Sequence, residues 1–141
     1  MTPMIIRTFR LDDSEALLAL WQNCNLIASQ NDPHEDIARK LTVQPELFLV
    51  GELGGEIIAS VMGGYEGHRG WLNYLAVSPA HRRQGYGKTI VAEAERLICE
   101  KGAPKINLQV RTTNTEVLEF YRSMGYRVDD VISLGKRLVI D

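Results

Sequence analysis

Residues 71–91 read WLNYLAVSPAHRRQGYGKTIV and contain the most informative pattern in the chain. An apolar run ends at Pro79, and Gly85 and Gly87 then precede apolar residues at helical spacing. Glycine lets backbone N–H groups approach a ligand closely, and the first N–H groups of a helix have no internal partner. The helix dipole favours negative charge at that end, so phosphate oxygens are natural ligands there. The stretch therefore predicts a strand, a phosphate-binding loop and a helix in succession.

The same loop has a plainer interpretation. Its glycines could serve only as turn residues, and Arg82, Arg83 and Lys88 could form a solvated rim. The loop is too short for a Walker loop and lacks its lysine-serine/threonine ending. It also lacks the longer glycine pattern and the following acidic residue of a dinucleotide fold. The combination of strand, paired arginines, glycines and helix favours a different phosphate ligand.

An antiparallel meander is predicted before the loop. The runs Leu47–Leu53 and Glu56–Tyr65 flank Gly54-Gly55, a dipeptide suited to a tight hairpin turn. A second turn at residues 66–70 leads into Trp71–Val77. These three runs predict adjacent antiparallel strands.

The rest of the chain alternates strands and helices. The other predicted elements are a strand at Met4–Phe9, a helix capped near Asp12, a short helix from Asp32-Pro33, a helix after Gly87 ended by Gly102, a strand at Ile106–Val110, a helix from Asn114 to Gly125, and final strands at Tyr126–Val128 and Val131–Val139. This order predicts an α/β protein with a central, mixed but mostly antiparallel sheet and helices on both faces. No linker or repeat interrupts residues 1–141, which predicts one domain.

Composition excludes several classes of function. The chain has 141 residues, of which 45% are hydrophobic and 24% charged, so disorder is not expected. Its net charge of -2 argues against a general nucleic-acid binder. No stretch approaches the ~20 apolar residues of a membrane span, and Arg7 and Arg10 interrupt any signal-peptide core. These features predict a cytoplasmic protein without nucleic-acid or membrane partners.

Cysteines and histidines predict no metal site. Cys24 and Cys99 lie far apart within helical patterns, as buried thiols of a reducing compartment do. The three histidines, His34, His68 and His81, lack the spacing of metal ligands.

The stretch Arg82–Gly87 resembles the signature Arg/Gln-x-x-Gly-x-Gly/Ala of the GNAT superfamily of N-acetyltransferases. Residues 74–79 are similar to the fourth strand of that family, and residues 108–111 and 114–126 to its fifth strand and following helix. Segments 31–33, 61–70 and 133–138 resemble the narrower YpeA-like bacterial group. The resemblance covers nearly the whole chain and implies the GNAT fold.

The resemblance implies acetyl-CoA, or a similar acyl-CoA, as the donor. Backbone groups of Leu75, Ala76 and Val77 would pair with the pantetheine arm, and Asn114 would contact it or order its surroundings. The pyrophosphate would be bound by backbone N–H groups of Arg82, Arg83, Gln84, Gly85, Tyr86, Gly87 and Lys88. The acyl group would lie where the fourth and fifth strands diverge.

The resemblance also implies direct attack of a neutral amine on the thioester within a ternary complex. A strand amide near Leu75 or Val77 could stabilise the oxyanion. Tyr121 matches the family tyrosine that would protonate the leaving thiolate, a suitable task for a phenol. The alternative is that Tyr121 only packs with Val117 and Met124 on the apolar face of its helix.

The general base is open. Some relatives that acetylate proteins carry glutamate at the position of Gln109, and glutamine cannot accept a proton in that role. Glu66 and His68 could act directly or through water, or could be solvated turn residues. Alternatively, the amine arrives already deprotonated.

The acceptor is expected to bind near residues 31–41 and the turn at residues 66–70. Asp32, Glu35 and Asp36 could attract a cationic amine, although an N-cap for Asp32 and helix-dipole stabilisation for the others are simpler roles. A homodimer is possible. Two further hypotheses are a non-catalytic acyl-CoA-binding module and a nucleotide-binding protein of another class.

Overall fold

The computed structural model describes residues 3–28 and 31–139. Within them lie five strands and four α-helices: β1 Ile5–Thr8, α1 Ser14–Asn23, α2 Pro33–Lys40, β2 Phe48–Leu53, β3 Glu56–Tyr65, β4 Gly70–Val77, α3 Tyr86–Glu100, β5 Ile106–Leu108 and α4 Thr115–Ser123. The chain divides into two compact units, Met1–Leu108 and Gln109–Asp141. The first unit contains every one of these strands, and the second contains α4.

The strands form one sheet in the order β1-β2-β3-β4-β5. Neighbours from β1 to β4 are antiparallel, whereas β4 and β5 are parallel because the crossover through α3 returns the chain to the same end of the sheet. The predicted mixed, mostly antiparallel sheet flanked by helices is confirmed.

The β2–β3 hairpin forms at the predicted dipeptide. Leu53 pairs with Glu56, and the two residues between them, Gly54 and Gly55, have φ angles of 58° and 84°. Positive φ at both central positions is the requirement of a tight turn whose twist matches that of the strands. Glycine accepts this backbone without steric cost, so the hairpin register is set locally.

Side chains that alternate along β3 place helices on both faces of the sheet. Ser60 accepts a hydrogen bond from Trp21 of α1, whereas a side chain at Gly63 would lie 3.2 Å from Ile98 of α3. The core on the α1 face is a buried apolar cluster made of Phe9, Leu17, Leu20, Trp21, Ile37, Phe48, Val50, Met62 and Ala76. On the other face, α3 buries Ile90, Val91, Ala94 and Ile98.

The start of α1 differs from its prediction. The expected cap at Asp12 is wrong, because a 3-10 turn at Leu11–Asp13 comes first and α1 begins at Ser14. Asp13 makes the contacts instead: it is buried, accepts two hydrogen bonds from Arg7 at 2.7 and 2.8 Å, and accepts a third from the backbone of Arg10. The guanidinium of Arg7 holds the pKa of Asp13 below its ordinary value.

We expect Asp13→Asn to lower the free energy of unfolding at pH 7 by about 2 kcal/mol, because a charged hydrogen-bond network loses its anion. Since the pKa of Asp13 is lowered by folding, its stabilisation is present above the ordinary carboxyl pKa of ~4 and is lost as the pH falls through the folded value. The gap between wild type and variant should therefore narrow in acid. Urea unfolding at neutral and acidic pH measures this difference in the free energy of unfolding. Asp12→Asn, at an exposed neighbouring residue, is the control. A gap that stays constant on acidification would contradict the assignment.

The short helix α2 begins as expected. Asp32 is its N-cap, with Oδ1 accepting from the backbone N–H of His34 at 2.9 Å and of Glu35 at 3.4 Å, and Pro33 occupies the first helical position. This cap satisfies N–H groups that a helix start leaves without internal partners. The structural role of Asp32 is confirmed.

In the second unit, Asn114 caps α4 by accepting from the backbone N–H of Val117 at 3.3 Å. The two predicted final strands are wrong: residues 126–139 form no strand in the described chain. Their apolar side chains are exposed, from 59% at Val139 to 90% at Leu134. Apolar content alone indicated strands there, but a strand requires a hydrogen-bonding partner, and the sequence of this segment does not specify one.

Candidate functional site

The centre of the candidate site is a β-bulge in β4. Ser60 pairs with Ala76 and Met62 with Asn73, so Tyr74 and Leu75 lie opposite the single residue Val61. Tyr74 has a φ of 53°, in the left-handed region that a bulky aromatic residue rarely adopts. A bulge of this kind turns backbone groups out of the regular ladder.

Tyr74 is held in this conformation at three points. Its carbonyl accepts from Ser60 Oγ at 2.9 Å, its ring stacks on Trp21 with centroids 4.0 Å apart, and its hydroxyl donates to Asp36 Oδ2 at 2.5 Å. Burial, and then the hydrogen bond to Asp36, raise the pKa of Tyr74 above its ordinary value. Strained backbone of this kind persists only where its surroundings fix it, and it concentrates at functional sites.

The outer edge of β4 opens just beside this bulge. β5 pairs with β4 only at Gly70, Trp71 and Leu72, so residues 73–77 extend beyond the end of β5. The predicted divergence of the two strands as an acyl site stays a prediction, whereas the end of their pairing at Leu72 and Leu108 is observed. The second half of β4 is therefore not paired with β5, and strand backbone without a ladder partner is where an extended ligand can add like a further strand.

The carbonyl of Val77, at the end of β4, already has protein partners. Cys24 Sγ donates to it at 3.3 Å and Arg82 Nε at 3.2 Å. These bonds connect the residue after α1, and the first arginine of the loop at residues 82–88 (the glycine loop), to the end of β4. Any further ligand at Val77 would therefore meet a carbonyl that is already engaged.

The glycine loop follows directly and reaches α3 with two left-handed residues, Arg83 at φ 63° and Gly85 at φ 86°. Gly85 is the N-cap, and the first backbone bond of α3 joins the N–H of Thr89 to its carbonyl at 3.1 Å. The amides of residues 86–88 precede that bond, so helix geometry gives them no internal acceptor. A Cβ at Gly85 would meet nothing within 4 Å. This open, amide-rich helix start is suited to a phosphate group.

The predicted base candidates lie at the other end of β4. Glu66 and His68 belong to the β3–β4 turn, and one carboxylate oxygen of Glu66 accepts from the backbone N–H of Arg69 and, at 2.7 Å, from that of His68. These two backbone bonds lower the pKa of Glu66 below its ordinary value. At roughly 3.3 Å per strand residue, the turn is on the order of 15 Å along β4 from Leu75. The contacts of Glu66 are those of a residue that stabilises its own turn.

The second unit contains three of the residues singled out from the sequence. Tyr121 is buried on α4, with its ring edge-on to Phe120 at 5.1 Å and to Tyr126 at 5.2 Å. Asn114 uses its side-chain oxygen as the helix cap. The amide of Gln109 donates to Ser133 Oγ, so this side chain is engaged as a hydrogen-bond donor.

Ser60, Trp21 and Tyr74 were not predicted as site residues, and Asp36 was predicted only as a residue that could attract a cationic amine or stabilise its helix. One signal was available: Ser60 interrupts an apolar strand, and a buried hydroxyl needs hydrogen-bond partners. The partners themselves are not readable, because Trp21 lies 39 positions away in the chain.

Within residues 3–28 and 31–139, no group of three or more histidine, cysteine or acidic residues is placed to hold a metal ion. A membrane-crossing helix is likewise absent from that part of the chain, where each helix is too short or too polar.

Sequence comparison finds relatives along nearly the whole chain. The sequence model of the acetyltransferase (GNAT) family matches residues 14–126. An acetyltransferase of Yersinia pestis is 46% identical over 138 residues, covering 98% of both chains. An acetyltransferase of Pectobacterium atrosepticum is 48% identical over 138 residues, again covering 98% of both.

Solved structures with the same fold include enzymes bound to ligands. The PaiA N-acetyltransferase of Thermoplasma acidophilum, in complex with coenzyme A, aligns with a TM-score of 0.80 and 20% identity, covering 92% of this chain and 93% of that one. Naa20 of Chaetomium thermophilum, in complex with a bisubstrate analogue, aligns with a TM-score of 0.73 and 29% identity, covering 88% and 71%.

Proposed function

Because the chain belongs to the acetyltransferase (GNAT) family, we propose that it transfers the acetyl group of acetyl-CoA to a primary amine. The observation that carries this proposal is the start of α3, where left-handed Arg83 and Gly85 lead into amides without internal acceptors. A pyrophosphate bound there would place the rest of the donor along β4. Arg82, Arg83 and Lys88 would add positive charge around the phosphates.

The pantetheine arm would lie against the second half of β4, beyond the end of β5. Residues 75–77 would offer backbone groups to it. At Val77 only the N–H would serve the ligand, because the carbonyl already accepts hydrogen bonds from Cys24 and Arg82. Asn114, whose side-chain oxygen caps α4, would act mainly by ordering the segment around the donor. The acetyl group would lie beside the bulge at Tyr74 and Leu75.

In the transfer step the amine nitrogen forms a bond to the thioester carbon, and the carbonyl electrons move to oxygen. A β4 amide would stabilise this oxyanion. The intermediate collapses with cleavage of the carbon–sulfur bond, and the hydroxyl of Tyr121 would give its proton to the departing thiolate. The amine loses one proton to a base, and Tyr121 would regain a proton from solvent before the next turnover. Holding both reactants together supplies part of the rate.

Water is the simplest recipient of that proton. Glu66 and His68 stay candidates for a base, acting through water, but the backbone bonds that lower the pKa of Glu66 also weaken it as a base. Gln109 cannot fill the role, because an amide does not titrate in this range. An acceptor that is already deprotonated in solution therefore fits this chain best.

The acceptor would approach over α2 and the β3–β4 turn, on the side of Tyr74. Among the acidic residues of α2, Asp32 is used as the N-cap and Asp36 as the partner of Tyr74. The exposed apolar segment after Tyr126 supports the additional proposal of a homodimer. We place the enzyme in the cytoplasm, where acetyl-CoA is available.

A second candidate is an acyl-CoA-binding module without catalysis. It is favoured by Gln109, which stands where the resemblance to protein-acetylating members of the family implies a glutamate and whose amide donates to Ser133. Such a module would bind acetyl-CoA through the same loop and release no product.

The test is an acceptor screen with acetyl-CoA over amino acids, polyamines, aminoglycosides and peptides, with acetylated product and free CoA both quantified by mass spectrometry. Equal amounts of the two in the presence of one acceptor class are expected. Binding of acetyl-CoA without any product would favour the binding module. Absence of both binding and transfer would refute the proposal.

A further inference from the structure

The peptide group between Tyr74 and Leu75 is held by a hydrogen bond from a buried side chain, although it lies at an unpaired part of the β4 edge. The carbonyl of Tyr74 accepts from Ser60 Oγ at 2.9 Å, and Ser60 is completely buried. A trans peptide is planar, with its C=O and N–H pointing in opposite directions, and the described residues contain no cis bond. Fixing the Tyr74 carbonyl toward β3 therefore also fixes the Leu75 N–H, which points away from β3.

Trp21 determines which way the Ser60 hydroxyl points. The indole Nε1 can only donate, and it donates to Ser60 Oγ at 2.9 Å. The hydroxyl has one proton, and with the indole as a donor on one side that proton is directed to the Tyr74 carbonyl. The same indole stacks on the Tyr74 ring at 4.0 Å. One side chain of α1 thus controls both the hydroxyl and the ring.

We propose that Ser60, oriented by Trp21, is a positioning residue for acetyl transfer, because it aims the Leu75 N–H at the open edge of β4 where the thioester carbonyl would bind. This inference rests on the proposed function. Ser60 does not touch the substrate; it acts through the Tyr74 peptide, which is held left-handed at a bulge. Its effect should appear in the chemical step more than in donor binding, because an oxyanion donor is used most strongly in the transition state.

The test is Ser60→Ala in the full chain, assayed with the acceptor identified by the screen. Without the hydroxyl, the Tyr74 carbonyl loses its partner and the peptide can rotate. We expect kcat to fall about tenfold while the KM for acetyl-CoA changes less than about threefold. Ile98→Val is the control for lost core stability, because Ile98 packs on the opposite face at Gly63 and Gly70. It should lower the melting temperature while leaving kcat unchanged.

Trp21→Phe is the second variant, and it tests the positioning role of Ser60 if Ser60→Ala does not fold. It keeps an aromatic ring beside Tyr74 but removes the indole donor, so the Ser60 hydroxyl is no longer oriented. We expect kcat to fall roughly threefold, again with little change in KM.

A folded Ser60→Ala variant with the kcat of wild type would overturn the positioning role. So would a rise in KM alone, since that result would assign Ser60 to donor binding. If Ser60→Ala cannot be folded, an unchanged kcat in Trp21→Phe overturns it equally. Failure of the proposed function looks different, because the wild-type protein itself would then transfer no acetyl group to any acceptor.

Discussion

Tyr121→Phe is expected to lower kcat roughly 100-fold, within the range that a general acid contributes, while the dissociation constant for acetyl-CoA stays nearly unchanged. The substitution removes the hydroxyl alone. The ring can remain buried, edge-on to Phe120 and Tyr126, so the fold of the second unit should not change. Steady-state kinetics with the identified acceptor, together with equilibrium binding of acetyl-CoA, measure the two quantities separately.

Tyr126→Phe is the matched control, because it removes a hydroxyl from the same aromatic cluster, 5.2 Å from the ring of Tyr121. We expect its kcat to stay within about twofold of wild type, as for a change away from the reacting atoms. Equal losses in the two variants would indicate that the cluster matters only for packing. A Tyr121→Phe enzyme with wild-type turnover across a range of pH would remove the acid from the mechanism.

A second large effect is expected at the start of α3, where Gly85→Val should weaken acetyl-CoA binding roughly 100-fold because the phosphate-binding amides lose their arrangement. At a φ of 86° a β-branched residue is strongly disfavoured, so the loop must leave its conformation and the amides must turn away from the phosphates. The new side chain would collide with nothing in the protein, since no atom lies within 4 Å of its Cβ position. The loss of acetyl-CoA affinity would therefore come from the changed backbone conformation of the loop, or from the valine side chain occupying space that the ligand needs.

Gly102→Val provides the same strain at the opposite end of the same helix. Gly102 has a φ of 103°, and a Cβ there would also meet nothing within 4 Å. Both variants should lose similar amounts of thermal stability, but only Gly85→Val should weaken binding, as measured by calorimetric titration with acetyl-CoA. If Gly102→Val weakens binding equally, the effect comes from a destabilised α3 and the phosphate loop has no special role.

The parts of the fold that the sequence predicts well are those with local causes. The Gly54-Gly55 hairpin, the Asp32-Pro33 start of α2 and the glycine entry to α3 each depend on residues a few positions apart. Their geometry follows from which φ angles a residue accepts and which side chain can cap an amide.

The elements that were predicted wrongly depend on contacts that are not local in the sequence. Residues 126–139 contain enough apolar side chains to suggest strands, yet pairing depends on a partner elsewhere in the chain. The cap at Asp12 was displaced by one residue because Arg7 binds Asp13, a contact six positions apart that involves β1.

The candidate site likewise has one part that the sequence predicts locally and one part that depends on distant residues. The loop from Arg82 to Lys88 could be identified from its residues, since glycines and a helix start are local features. The bulge could not, because the left-handed Tyr74 depends on Trp21, Ser60 and Asp36, which come from three other elements of the first unit. No propensity assigns such a backbone to tyrosine.

The hydrogen bond from Cys24 to the Val77 carbonyl has a practical consequence for enzymology. An aromatic disulfide reports CoA release because the CoA thiolate attacks it and expels an aromatic thiolate, and protein thiolates attack it in the same way. Here Cys99 is exposed and Cys24 is partly exposed, so the expectation that both thiols are buried is wrong for Cys99. Mixed-disulfide formation at Cys24 would remove its proton from the Val77 carbonyl and add a bulky group beside the end of β4. A reagent present during turnover would then inactivate the enzyme that it reports on, so the reaction should be quenched before thiols are counted.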